Sequence, residues 1–121
     1  MTSIRALVVC CCAVLALAGC GSSESRTADD VTRAVYNDDI DSATKNFTPD
    51  LAKTVTRQEL GQLSDLMHQH GDYKGLKQTG TEPDGAYDFE ADFSNGTLIV
   101  KMKLDSSGKV SGYRVIPNPS M

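Results

Sequence analysis

The sequence predicts an α+β fold: helices in the first half, an antiparallel sheet of about four strands in the second. Two observations carry this. Between Thr27 and Gly71 the apolar residues recur at three- and four-residue spacing, the period of helices with one buried face. From Tyr87 to Leu104 the spacing falls to two and is interrupted only at Asn95-Gly96, a dipeptide suited to tight hairpins. Helices followed by an antiparallel meander pack on one face of the sheet.

The first helix is expected from Thr27. Asp30 stands three residues on in a capping-box-like arrangement, and Asp29 and Asp30 suit the positive helix start. Val31, Ala34 and Val35 form its apolar stripe, and Asn37-Asp38-Asp39 breaks it. A second helix over 40–47 offers Ile40, Ala43 and Phe47 on one side. Thr48 can cap the next, with Pro49 at its first position and one or two turns over Leu51 to Val55. The fourth helix has the clearest start. Thr56 and Glu59 make a capping box, and Val55 with Leu60 can form the hydrophobic staple around it. Leu60, Leu63, Leu66 and Met67 bury one face, and Gly71 stops the helix after His70.

In the second half, Tyr87, Phe89, Ala91 and Phe93 alternate with polar residues, as do Leu98, Val100, Met102 and Leu104. A two-residue turn at Asn95-Gly96 pairs Phe93 with Leu98, Ala91 with Val100, Phe89 with Met102 and Tyr87 with Leu104. On the other face it sets Glu90 against Lys101 and Asp88 against Lys103. A one-residue slip would turn every apolar side chain to solvent. Asp105-Ser106-Ser107-Gly108 leads to a last strand over 109–116, in which Val110, Tyr113 and Val115 all face inward if Gly112 makes a bulge. A first strand is expected near 72–81, interrupted by Gly75 and Gly80.

The chain opens on a different kind of segment. Arg5 precedes an uncharged apolar run from Ala6 to Ala18, the layout of a secretory signal peptide. The run is too short for the ~20 apolar residues of a membrane-spanning helix. Leu17-Ala18-Gly19-Cys20 at its end resembles the lipobox of bacterial lipoproteins. That resemblance implies removal of residues 1–19, a diacylglycerol on Cys20, and a lipid-anchored location on the extracytoplasmic side of the cell membrane. Two acyl chains suffice for stable attachment. Residues 20–27 then read as lipidated cysteine and flexible spacer, and 28–118 as the folded domain.

Of the four cysteines, Cys10, Cys11 and Cys12 lie in the removed run and Cys20 takes the lipid. No thiol then remains for a disulfide, a thiolate metal site or a nucleophile. The formal charge of −4 becomes −5 when Arg5 leaves with the signal peptide. The basic residues are scattered, which excludes the electrostatic footprint of a nucleic-acid binder. The remaining stretch of about 100 residues is the size of one domain.

The order of elements resembles the NTF2-like (cystatin-like) superfamily, and more narrowly small bacterial domains of unknown function found in lipoproteins and beside α/β-hydrolase domains. The residues that carry it are Asn37-Asp38-Asp39, Phe47-Thr48-Pro49, Thr56 to Leu60, Gly71-Asp72-Tyr73, the hairpin, and 105–112. The resemblance implies a curved sheet wrapping the helices into a cone, often with a cavity at its wide end. It implies no catalytic residues and no cofactor.

The candidate chemistry is sparse. His68 and His70, the only histidines, point to different sides of a helix and cannot chelate one metal together. Asp88, Glu90 and Asp92 share a strand face, but lysines opposite make them cross-strand partners. Tyr36, Met67, Tyr73, Tyr87, Phe89 and Phe93 are the candidates to line a pocket, against the alternative of a packed core. These readings favour a non-catalytic binding or protein-interaction domain, with an envelope protein or a small apolar ligand as partner. A small isomerase- or cyclase-like enzyme, which would need Asp65, Asp72 or His70 in a pocket beside Tyr87, is the second reading. A structural homodimer using Ile99 on the outer sheet face is the third.

Overall fold

The computed structural model describes residues 23–119, so the predicted signal peptide and Cys20 lie outside it. The elements run α1 (Ser23–Tyr36), α2 (Ile40–Thr44), α3 (Pro49–Thr54), α4 (Arg57–His68), β1 (Tyr73–Thr81), β2 (Tyr87–Phe93), β3 (Gly96–Leu104) and β4 (Val110–Pro117). The strands form one antiparallel sheet in the order β1-β2-β3-β4, leaving β1 and β4 as edges. The α+β architecture follows the hydropathy pattern directly.

Helix α1 extends further back than its sequence suggests. Residues 23–27, expected in the spacer, are helical. Tertiary contact holds them: Ala28 is fully buried, and the Tyr87 hydroxyl reaches Glu24 Oε2 at 3.5 Å. At the other end Asp38 takes a left-handed conformation (φ 57). Asp39 N–H then bonds Ala34 O at 2.9 Å and Asp38 N–H bonds Val35 O at 3.0 Å, the paired closure of a Schellman motif. Asp39 immediately caps α2, accepting from Ser42 N–H at 3.2 Å. Helix α2 stops at Thr44, short of Phe47, because 46–48 leaves to bond the start of β4. Val110 N–H donates to Asn46 O at 2.7 Å, and Thr48 N–H donates to Val110 O at 2.8 Å.

Helix α4 begins as its sequence dictates. Glu59 N–H donates to Thr56 Oγ1 at 3.1 Å, and Thr56 N–H donates to Glu59 Oε1 at 3.2 Å. Such a cap contributes about 1 kcal/mol. The helix ends at His68, and Gly71 (φ 92) turns the chain into β1.

The hairpin has the predicted faces but not the predicted register. Phe93 pairs with Gly96, Ala91 with Leu98, Phe89 with Val100 and Tyr87 with Met102, two residues away from the Asn95-Gly96 alignment. The turn residues are therefore Ser94 and Asn95, neither of which has a positive φ. The neighbouring loop supplies the reason. Ser94 N–H donates to Asp72 O at 2.9 Å, Asp72 N–H donates to Ser94 Oγ at 2.9 Å, and Asn95 N–H donates to His70 O at 2.8 Å. These tertiary bonds outweigh the local preference of Asn-Gly for the turn centre. The ion pairs move with the register. Lys101 meets Asp88 at 3.0 Å and Glu82 at 2.7 Å, Lys103 meets Asp84 at 3.8 Å, and Glu90 meets Lys77 of β1 at 3.3 Å.

A shift of two keeps every side chain on its face. Phe89, Ala91, Leu98, Val100 and Met102 are all fully buried. They meet Val31 and Val35 of α1 and Met67 of α4 in one core. Full burial of each large side chain contributes roughly 1.5–3 kcal/mol. On β4, two residues oppose one between Lys103 and Leu104, which places the bulge at Ser111 beside Gly112. The step brings Val110 inward at its start and lets Tyr113 and Val115 pack on the same core. The two buried polar side chains among the described residues are satisfied. Thr32 Oγ1 lies 2.7 Å from the Tyr113 hydroxyl, and Ser64 donates to Tyr36 O at 2.9 Å.

Candidate functional site

Three elements leave a cleft of ≈ 490 Å³ between them, within the range of small-molecule and peptide pockets. Leu51 of α3 and Val55 just beyond it form one side. Leu60, Leu63 and Leu66 of α4 form another. Tyr113, Arg114, Val115 and Ile116 of β4 close the third. The cleft exists because α3 is a six-residue helix ended by Val55 in an extended conformation, and it packs on β4 without filling the space beside α4. Leu63 and Leu66 are consequently only half-buried, while Leu60 and Met67 on the same helix are sealed.

The lining is apolar with a sparse polar rim of Glu59, Gln62 and Arg114. Glu59 is the one carboxylate on it and already serves the α4 cap. Arg114 is exposed, and no acidic side chain among the described residues pairs with it. The Tyr113 hydroxyl is turned away onto Thr32, and burial pushes its ionisation well above the ordinary range. This arrangement can desolvate an apolar group and meet a negative charge at its edge. It does not set a general base against a general acid.

The residues expected to line a pocket lie elsewhere. Met67, Phe89 and Phe93 are buried in the core. Tyr36, Tyr73 and Tyr87 pack against that core, and none of the six lines this cleft. Tyr36 stacks on His68 at 4.0 Å, and Tyr73 sits 5.5 Å from Phe93. Each tyrosine hydroxyl has a structural partner: Tyr36 donates to Gly71 O at 3.3 Å, Tyr73 to Asp29 at 2.6 Å, and Tyr87 to Glu24. Burial, reinforced by the bond to Asp29, drives the Tyr73 hydroxyl far up from its ordinary value. The aromatic volume needed for the core left none for a cavity.

The other candidates are also structural. His68 Nε2 donates to Tyr36 O at 2.9 Å and His70 Nδ1 donates to Leu66 O at 3.1 Å. Asp65 and Asp72 are exposed and do not line the cleft. No helix among the described residues is long and apolar enough to cross a membrane, and no group of three or more His, Cys, Asp or Glu among them could hold a metal ion.

A second cavity, of ≈ 380 Å³, lies on the outer sheet face around Glu82, Lys101, Lys103 and Arg114. Apart from Arg114, its charges are mutually engaged: Lys101 with Glu82 and Asp88, and Lys103 with Asp84. The bond with Glu82, and then Lys101, holds Asp88 below the usual carboxylate range, and the bonds to Glu82 and Asp88 raise Lys101. The residues sequence reasoning missed are those of the first cleft, above all Leu63, Arg114 and Val115. The available signal was an apolar stripe on α4 broader than one packing partner needs.

Comparison with protein-family models, with curated proteins and with solved structures finds no match. The site is read from its own chemistry.

Proposed function

We propose that this chain is a bacterial lipoprotein, anchored through lipid on Cys20 to the extracytoplasmic side of the cell membrane. Its folded part is a non-catalytic binding domain whose ligand seat is the α3–α4–β4 cleft. The observation that carries the binding reading is that cleft: an apolar space of ≈ 490 Å³ with Arg114 at its rim, which no acidic side chain among the described residues pairs with. The lipobox Leu17-Ala18-Gly19-Cys20 after an apolar run supports the anchor. The order of four helices then a four-stranded meander supports kinship with the NTF2-like superfamily.

Two substitutions test the proposal. Cys20→Ser should leave the precursor uncleaved at this site and without lipid. Maturation of the variant at the same position, with retention on the membrane, would sink the anchor. Leu63→Trp, which puts bulk into the cleft from a half-buried position, should abolish binding of an apolar fluorescent dye while the unfolding midpoint stays near that of the parent. Undiminished dye binding would refute the cleft. Turnover of any ester or keto substrate, lost on Arg114→Ala, would replace the binding reading with an enzymatic one.

A further inference from the structure

The cleft meets β4 in an unusual way. Tyr113, Arg114, Val115 and Ile116 are consecutive and all line it. Successive side chains of a strand point to opposite faces, so a cavity touching all four runs along the strand's edge. That edge is open. β4 is the outermost strand, and beyond the bridge between Val110 and Phe47 it has no further strand partner among the described residues.

The direction of its backbone groups follows from the bonds at Val110. Both its N–H and its C=O are used on 46–48, so they face outward. Alternation, stepped by one residue at the Ser111 bulge, turns those of Tyr113 and Val115 outward too, into the cleft. Pro117 has no N–H and ends the row. The opposite edge is defended differently: β1 carries two register breaks and the exposed Lys74 and Lys77, devices that discourage pairing. From Tyr113 to Ile116, β4 has no register break, and Arg114 is its one exposed charge.

Building on the binding reading above, we infer that the occupant of the cleft is an extended apolar peptide segment bearing a carboxylate, added to the β4 edge as a fifth strand. An aliphatic chain would satisfy the leucines of α4 but leave outward N–H and C=O groups facing apolar surface without partners. A strand satisfies both: its backbone pairs with Tyr113 and Val115, and its inward side chains rest on Leu51, Leu63 and Leu66. Arg114, exposed and without an acidic partner among the described residues, supplies the charge complement for a carboxylate on the segment. The short stretch 46–48 already pairs with this edge at its start, so the added strand continues an existing ladder.

The test uses the full lipidated chain in nanodiscs and hydrogen exchange read by mass spectrometry. The first probe is a short synthetic peptide alternating valine and threonine, with a free terminal carboxylate. The others are the same peptide N-methylated at alternate amides, its amidated form, and decanoate. The expected result is saturable slowing of exchange over 113–116 with the first probe, and binding about tenfold weaker after N-methylation. Amidation and Arg114→Ala should each weaken binding, and together no more than either alone. Equal binding of the N-methylated peptide overturns strand addition but leaves the cleft as a binding seat. So does binding of decanoate with no slowing over 113–116. Protection of this strand that rises with protein concentration and needs no peptide overturns it in favour of a second copy. No saturable binding by any of the probes overturns both readings.

Discussion

Gly71 joins α4 to β1 and bears directly on the hairpin turn. With φ at 92 it occupies backbone space that L side chains rarely adopt, and a Cβ placed there would collide with Ser94 Oγ and stand 3.1 Å from Asn95 Nδ2. Gly71→Ala therefore has two costs. The left-handed backbone contributes about 1–2 kcal/mol. Relief of the collision requires Ser94 Oγ to leave Asp72 N–H, now 2.9 Å away, and losing that bond costs about 0.5–1.5 kcal/mol. Together the loss is about 1.5–3.5 kcal/mol, against ~5–15 kcal/mol for a whole domain. With a urea slope near about 1.5 kcal/mol per molar, the midpoint should fall by about 1–2 M. Urea unfolding followed by circular dichroism measures this. Ser94→Gly in the Gly71→Ala background removes the collision but not the backbone strain, so the two changes should couple by about 1 kcal/mol. A midpoint unchanged in Gly71→Ala, or strict additivity in the double variant, would refute the reasoning.

Phe89→Ala empties the centre of the core and should cost about 3–5 kcal/mol, measurable as a large fall in the same midpoint. Thr56→Ala removes the side-chain half of the α4 cap and should cost about 1 kcal/mol, with helix loss confined to the first turn of α4 by amide exchange. Raising the pH should destabilise the fold. Tyr73 and Tyr113 are held protonated above their ordinary value of 10.0, chiefly by burial, and the bonds to Glu82 and Asp88 raise Lys101 above 10.5. Unfolded chains lose these protons first, so stability is intact below about pH 10 and declines as pH rises further. Tyrosinate absorbance from Tyr73 and Tyr113 should appear together with loss of the circular dichroism signal. Ionisation of all four tyrosines in a chain that keeps its native spectrum would contradict this.

The legible parts of the fold share a physical character. The start of α4 could be read because both halves of its capping box lie within four residues. The inward faces of β2 and β3 could be read because a period of two survives any even shift. For the same reason the register could not: two alignments two residues apart bury the same side chains. The choice between them falls to bonds from His70 and Asp72, more than twenty residues away from the turn along the chain. The cleft was hidden for a related reason. Aromatic residues mark volume, and here that volume went into the core. The lining comes instead from half-covered leucines of α4 and a stretch of β4 whose bulge at Ser111 scrambles its alternation. No periodicity records a space left between three elements.

The early start of α1 also sets a distance. If lipid holds Cys20, only Gly21 and Ser22 separate it from the helix that begins at Ser23. Even fully stretched, such a link spans about 10 Å, where the eight residues 20–27 would have allowed roughly 28 Å. The start of α1 would then be held close to the headgroups. It cannot sample the surrounding space as a body on a long leash would. With that anchor, a partner that is itself membrane-bound would find the domain by a search in two dimensions.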